Sequence, residues 1–349
     1  DMSKIEDDKM RIETAPLRLR SLAEHSAGEN MQVVVVDNHS TDATATELVP
    51  LGESLFGASF KAVRMPENVG TESGWKFYAA RPFLSGLFFW TGFDYRGEAN
   101  PLVWPAVNSQ FGIVDLCGFP KDIFYYLKSW WGNQPVMHIM PHWNWKGSEG
   151  KNIKVTIYSN AEEVELVLNK KSLGKKTMEK NGHLEWEVAY QPGTLVAKGF
   201  VNGKPTVSEQ VETTGVPAKV ALLADRAQLN ADGEDVAVIT VQLNDLKNRW
   251  APTANKEIVF TLSGQGKIIG VGNGDPASHA PEQFVSTASN PTPQWKRDTF
   301  NGLAQIIVKT TKQAGEITLT ASSEGLTPAT LKLTTTTLVL RPTTEIIKK

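Results

Sequence analysis

Glu163-Val-Glu-Leu-Val-Leu-Asn-Lys-Lys-Ser172 decides the fold of most of this chain. Charged and aliphatic residues alternate through Leu168, so one face of the segment is apolar and the other polar. That is a half-buried β-strand, and Asn169-Lys-Lys-Ser172 closes it as a hairpin turn. The same alternation recurs on either side. Lys154-Val-Thr-Ile-Tyr158, Leu184-Glu-Trp-Glu-Val188 and Thr194 to Val201 all read as strands, and Asn202-Gly203 is a strong two-residue turn signal. His138-Ile-Met-Pro-His-Trp-Asn-Trp145 is a candidate first strand.

Five or more strands within about 80 residues argue for an immunoglobulin-like sandwich over residues 135–214. Thr213-Thr-Gly-Val-Pro217 reads as a linker. A second β run follows, with strands expected at Lys219 to Ala224, Val236 to Asn244, Glu257 to Leu262, Gly266 to Val271, Gly302 to Thr310, Gly315 to Ser322 and Ala329 to Thr335. It predicts a second sandwich over 215–338, with a frayed tail at 339–349.

The first 75 residues have a different character. Thr14 to Ala27 reads as a helix. Met31-Gln-Val-Val-Val-Val36 is a β-branched run of the kind that fills a buried parallel strand. The polar turn Asp37-Asn-His-Ser-Thr-Asp42 leads to a short helix from Ala43 to Leu51, with Ser40 or Thr41 as cap, and Phe60 to Arg64 is a second strand. Together these predict one β-α-β unit. The fold class expected is therefore mainly β, with two sandwiches behind a short α/β segment.

Composition narrows the function. A chain of 349 residues with 40% hydrophobic and 21% charged content has room for two or three ordinary domains. A net charge of −2 and a pI near 6.4 point to no nucleic-acid partner and no anionic membrane surface. Seven of the ten Trp lie between Trp75 and Trp145, a density that suits either carbohydrate binding or core packing. Cys117 is the single cysteine, which excludes an intrachain disulfide. No apolar run reaches 18 residues, and the polar start at Asp1 is not a signal peptide.

The chemistry concentrates in Arg81-Pro-Phe-Leu-Ser-Gly-Leu-Phe-Phe-Trp90-Thr-Gly-Phe-Asp94-Tyr-Arg96-Gly-Glu98. An apolar run from Phe83 to Trp90 ends abruptly in Trp, Asp, Tyr, Arg and Glu. A buried strand whose C-terminal end opens into a site has this pattern, and so has a core strand followed by a polar turn. An indole offers a flat apolar face to the C–H side of a sugar ring, and carboxylates accept bonds from its hydroxyls.

Phe88 to Glu98 resembles the last barrel strand of the glycoside hydrolase family two β-galactosidases. Trp104-Pro-Ala-Val-Asn-Ser-Gln-Phe-Gly-Ile-Val-Asp-Leu-Cys-Gly-Phe-Pro-Lys-Asp122 and Tyr125-Tyr-Leu-Lys-Ser-Trp-Trp131 resemble the same enzymes, especially the bacterial group with extra C-terminal β domains. The similarity runs from about Arg81 to about Thr335. It implies that residues 76–134 are the last β/α unit of a catalytic barrel, with a helix from Lys121 to Trp131, and that the β domains are the family's C-terminal modules. It further implies that Trp90 stacks under the sugar, that Asp94 orients neighbours or hydroxyls, that Arg96 pairs with a carboxylate, and that Glu98 lies on the same substrate-contact strand. Asn108 and Phe111 fall in the loop that folds back over the sugar. Retaining hydrolysis needs two carboxylates about 5 to 5.5 Å apart. In the family both are glutamates on earlier strands, which the residues upstream of Arg81 do not match, so neither is assigned here.

The resemblance implies a β-galactoside-like glycan as partner and no organic cofactor. One β/α unit cannot close a barrel, which implies either the rest of the barrel or a second copy as a further partner. A bacterial periplasmic or secreted location is expected. Val33 to Thr44 resembles the second strand of the family-two nucleotide-sugar glycosyltransferases, with Asp37 at a nucleotide contact, and Pro66 to Trp75 resembles their following Asn-x-Gly loop. A glycosyltransferase fragment is therefore one alternative function. A non-catalytic carbohydrate-binding module, using Trp143 and Trp295, is the other.

Two weaker signals remain. His138 and His142 are four apart, but Pro141 argues for a strand and no third ligand completes a metal set. Gly272-Asn-Gly-Asp-Pro276 reads as a strand-end turn and matches a segment of the resembled family's module. It opens a long polar loop, Ala277 to Gln294, whose candidate ligand or partner contacts are His279 and Trp295.

Overall fold

The computed structural model describes residues 20, 23, 33–37, 44–64, 70–84, 89–99, 102–290 and 292–337. The chain divides into two compact units, Asp1–Phe88 and Phe89–Lys349. In the first, strand β1 (Val33–Asp37) and strand β2 (Phe60–Arg64) pair in parallel, from Val33 opposite Phe60 to Asp37 opposite Arg64. Helix α1 (Thr44–Phe56) and a 3-10 turn (Gly57–Ser59) connect them, so the expected β-α-β unit is present. Phe56 stacks on Phe60 with ring centroids 6.5 Å apart. The turn after Asp37, the caps Ser40 and Thr41, the loop 65–69 and the tail beyond 337 lie outside the described residues, as does the expected helix Thr14 to Ala27 apart from Arg20 and Ala23, both helical.

Two corrections fall in this unit. Gly70–Ala79 forms a helix, α2, across the Asn-x-Gly loop's end and the change of character near residue 75. The apolar run expected as a strand shows none among its described residues. Arg81 to Leu84 is a turn, closed by Leu84 N–H on the Arg81 carbonyl at 3.0 Å, and residues 85–88 are outside the description. Arg81 explains the turn. Its guanidinium donates to the Phe77 carbonyl at 2.7 Å and lies over the Phe77 ring, which folds the chain back onto the end of α2.

In the second unit, helix α3 (Asp122–Trp131) begins one residue later than expected, with Asp122 in its first turn where a carboxylate suits the dipole. Its buried residues are Tyr126, Leu127 and Ser129. Tyr126 and Trp130 donate to the carbonyls of Asn181 and Gly182, fastening α3 to the β region that follows.

That region comprises β3 (Met137–Met140), β4 (Asn152–Ser159), β5 (Glu163–Leu168), β6 (Lys171–Thr177), β7 (Leu184–Ala189), β8 (Thr194–Val201) and β9 (Lys204–Glu212). They form two antiparallel sheets, β3-β4-β7 and β6-β5-β8-β9. The alternating residues named from the sequence face inward. Leu184, Trp186 and Val188 from one sheet meet Val164, Leu166 and Leu195 from the other in one core. Both turn signals hold. Asn169 and Lys170 have φ of 48° and 70°, Asn202 and Gly203 of 50° and 71°, the paired positive φ of a two-residue hairpin turn.

The second β region repeats the plan with different strands: β10 (Lys219–Ala224), β11 (Gln228–Asn230), β12 (Val236–Asn244), β13 (Glu257–Gly264), β14 (Gly266–Gly272), β15 (Trp295–Asp298), β16 (Leu303–Thr310), β17 (Gly315–Ser322) and β18 (Ala329–Thr336). The sheets are β10-β12-β16-β14 and β11-β18-β17-β13-β15, antiparallel except for β11 beside β18. Ile239, Val241 and Ile306 of one sheet pack with Ile258, Ile317 and Leu319 of the other. The two β regions are joined at Asp245, which is buried. It accepts N–H bonds from Gly215, Lys247 and Arg249 and two more from the Arg249 guanidinium, at 2.6 to 3.0 Å. Arg249 also reaches Glu212 at 3.6 Å, so one ion pair grips the end of β9 and the linker together.

Leu319→Ala empties a fully buried position and is expected to cost about 2 to 5 kcal/mol, whereas Leu223→Ala, half-exposed on edge strand β10, is expected to cost less than about 1 kcal/mol. Urea unfolding of the two variants checks the contrast.

Candidate functional site

The segment Phe89 to Lys121 is held by backbone pairing rather than by named strands. Thr91 N–H donates to Phe111 O at 3.4 Å, Ile113 N–H to Thr91 O at 3.1 Å, Val114 N–H to Gly92 O at 3.0 Å and Asp94 N–H to Val114 O at 3.0 Å. This is a short parallel ladder. Beyond it the chain swings to a second partner. Gly97 N–H donates to Val107 O and Ser109 N–H to Tyr95 O, both at 2.8 Å, which sets Arg96 opposite Asn108. Two of the residues expected at the site are thus brought side by side from 12 positions apart.

Trp90 stands at the start of the ladder with 62% of its surface exposed. Its indole N–H donates to the Tyr95 hydroxyl at 3.2 Å, the two rings meet edge to face, and the Tyr95 hydroxyl donates to Glu98. The Trp90–Thr91 peptide is cis. Asp94 is buried. One of its oxygens takes Gly112 N–H at 2.8 Å and the other lies 2.5 Å from the Lys121 ammonium. Arg96 pairs with Glu282 at 2.6 Å and donates to the Ser278 carbonyl at 3.3 Å. Phe111 is half-buried and supplies the carbonyl that starts the ladder. Asn108 is 1% exposed, and neither its amide nitrogen nor its oxygen has a partner. The structure therefore gathers Trp90, Tyr95 and Glu98 in one chain of hydrogen bonds and Arg96 with Asn108 in one backbone pair, and ties Asp94 to the start of α3. Asp37 ends β1 opposite Arg64; its side chain lies outside the description.

Other sequence candidates fall elsewhere. Trp143 has no exposed surface; it packs edge to face on Tyr190 and donates to the Gln191 carbonyl, so it is core. Trp295 is half-buried against Phe284. His279 donates to the Pro105 carbonyl at 2.8 Å and its ring lies tilted against Trp104, centroids 4.6 Å apart. His138 and His142 do not converge. His138 lies parallel to the Tyr125 ring at 3.8 Å, bonds Asp122 at 2.7 Å and faces Glu209 at 3.8 Å, while His142 packs on Trp145. Among the described residues no group of three His, Cys, Asp or Glu is placed to hold a metal ion. Tyr95, Lys121 and Glu282 were not singled out from the sequence. Tyr95 stands within the quoted run, whereas the approach of Glu282 to Arg96 has no local signal.

Residues 220–332, from β10 into β18, match the model of glycoside hydrolase family 2 C-terminal domain 5, and residues 150–207 match a model described as a domain of unknown function. A β-galactosidase of Bacteroides ovatus is 40% identical over 277 residues, 79% of this chain and 31% of that protein. A β-glucuronidase of Formosa agariphila is 30% identical over 223 residues, 63% of this chain and 21% of that protein. Among solved structures, a glycosyl hydrolase family 2 member from Bacteroides cellulosilyticus shares 32% identity at a TM-score of 0.67, covering 76% of this chain and 38% of that one. A β-glycosidase from Bacteroides vulgatus shares 29% identity at 0.70, covering 85% and 36%. This chain belongs to glycoside hydrolase family 2, of which it carries C-terminal domains. It spans less than a third of the length of these curated relatives.

Cys117 and His138 are among the groups of this unit whose titration is shifted. Burial pushes the Cys117 thiol up to about 12, and the Asp115 carboxylate adds to the rise. The thiol is then neutral at pH 8 and is expected to resist Ellman's reagent in the native protein and to react fully in guanidinium. For His138, burial works to lower the pKa, but the bonds to Asp122 and Glu209 outweigh it and the net shift is upward from 6.5. A raised folded value stabilises the protein below the unfolded pKa and loses that contribution as pH rises through the folded one. Stability measured by denaturant is therefore expected to fall above about pH 6.5 in the wild type, and to fall less in His138→Asn.

Proposed function

We propose that the chain is the C-terminal portion of a retaining β-galactosidase-like hydrolase acting on terminal β-glycosides, with Trp90 forming the floor of a sugar subsite. The observation that carries this reading is the exposed Trp90 indole, oriented through Tyr95 and Glu98, in a chain 40% identical over 79% of its length to a β-galactosidase. Aromatic surface with a few fixed polar groups is what a sugar-sized pocket needs. In this reading residues 89–131 are the last β/α unit of the barrel, and both β regions are immunoglobulin-like sandwiches. The two carboxylates that retention requires come from the rest of the barrel. Exposed Phe93, Leu102, Val103 and Trp104 support that assignment, because an apolar surface of this kind beside a site is normally covered.

The binding-module alternative loses Trp143, which no ligand reaches without unfolding the first sandwich. The glycosyltransferase alternative is favoured by one observation, the parallel pairing of β1 and β2 around α1. Binding of a uridine-diphosphate sugar that disappears in Asp37→Ala would support it.

To test the main reading, residues 89–337 replace the matching region of the Bacteroides ovatus relative, and hydrolysis of a chromogenic aryl β-galactoside is followed. The graft is expected to turn over, and Trp90→Ala to lower kcat/KM by about 100-fold, the scale of a lost positioning contact. The 349-residue chain alone is expected to give no turnover. An active graft indifferent to Trp90→Ala removes Trp90 from the site.

A further inference from the structure

The loop that leaves β14 does not hang free. Asn273 is buried and donates to the Asp298 carbonyl at 2.8 Å. Arg297 on β15 is 3% exposed, and its guanidinium spans the loop's base, donating to Asn273 Oδ1 and to the Ala280 carbonyl, each at 3.0 Å. The excursion from Asn273 to Ala280 is therefore pinned at both ends from inside the second β region.

Its outer side meets the segment that carries Arg96 and Asn108. Val107 N–H donates to the Pro276 carbonyl at 2.9 Å. His279 donates to Pro105 and lies against Trp104, and Glu282 takes Arg96. Gly274 comes so close to Asp115 that a Cβ there would sit 1.9 Å from its carboxylate oxygen. Gln305 on β16 donates to the Cys117 carbonyl at 2.7 Å.

We infer that the loop 273–282 positions the sugar-side residues 96–97 and 104–109, with His279 and Glu282 as positioning residues and Arg297 as the pin behind them. This rests on the functional reading above for the site it serves, though the clamp itself does not. Glu282 and Arg96 are each about half exposed, and such a pair adds little stability, at most about 1 kcal/mol. Its effect is directional: it sets where the Arg96 guanidinium points on the backbone bridge that also carries Asn108. The lasting hold comes from the buried pin and the Val107 bond. The second β region thereby shapes the site.

The test uses hydrogen exchange on the 349-residue chain, read at the amides of Gly97, Val107 and Ser109. His279→Ala and Glu282→Gln are each expected to speed exchange there about three- to fivefold while core amides of β12 and β16 stay unchanged. Arg297→Lys, which keeps the charge and loses the fork, is expected to exceed both. Lys296→Ala, next to the pin but paired outward with Glu257, is the control and leaves exchange unaltered. In the graft, Glu282→Gln is expected to raise KM about fivefold with kcat within about twofold, and Glu282→Asp to recover most of the loss. Unchanged exchange in His279→Ala and Glu282→Gln overturns the inference. Faster exchange with unmoved kinetics in an active graft overturns the positioning role. An inactive wild-type graft counts against the functional reading alone, and the exchange data still decide the clamp.

Discussion

A buried guanidinium hydrogen-bonded to an amide oxygen and a backbone carbonyl holds the site segment in place. Taking Arg297 out of water costs several kcal/mol, and here the compensation comes from a backbone carbonyl and a side-chain amide oxygen. Burial lowers its pKa, but from a value so high that the group stays charged. Its Nε has no partner, so the arrangement is not one that stability alone would select. What it provides is shape. Two donors in a rigid fork fix Asn273 and Ala280 relative to each other, and between them Pro276 and His279 meet Val107 and Pro105.

Every inner strand of the second unit was legible, and so were the edge strands β3, β7, β10 and β14. β12 and β16 alternate cleanly because both of their neighbours are strands and one face is core, so every second residue had to be apolar. The four strands not anticipated, β6, β9, β11 and β15, all lie at sheet edges. Lys171-Ser-Leu-Gly-Lys-Lys-Thr177 and Trp295-Lys-Arg-Asp298 carry lysines, arginine and glycine where an interior strand carries aliphatics. An edge must repel further pairing, and the charges that do so erase the periodic signal. The hairpin turns survived because positive φ at two successive positions demands particular residues whatever the strands contain.

At the site, legibility followed sequence distance. Trp90, Asp94, Arg96 and Glu98 lie within nine residues, and their clustering could be read directly. The partner of Arg96 is 186 residues away, and that of His138 in α3 is 16 away with another in β9. A spacing of four between His138 and His142 says nothing when the backbone is extended and Pro141 turns it, which is why one ring ends between carboxylates and the other against Trp145. Asp94 shows the same limit. Its sequence neighbourhood points toward substrate, while its partners in the structure are Gly112 N–H and Lys121, and only the fold reveals that second commitment.

Two locks of different strength organise the second compact unit. Asp245 is buried and receives five hydrogen bonds, which hold its carboxyl far below the usual range despite the cost of burial; this joins the two β regions with little play. The contact between the second β region and the Trp104–Ser109 segment is lighter on its surface, an exposed ion pair and an imidazole, and firmer at the Val107–Pro276 backbone bond, behind which Arg297 and Asn273 pin the loop. A rigid base under a yielding rim is suited to a segment that must hold its place yet admit a ligand beside it. It also means that the β regions and the site segment cannot be treated as separable modules. The position of Asn108, an orphaned buried amide next to Arg96, is set by the loop after β14 and by β15 beneath it as well as by the residues around it in sequence.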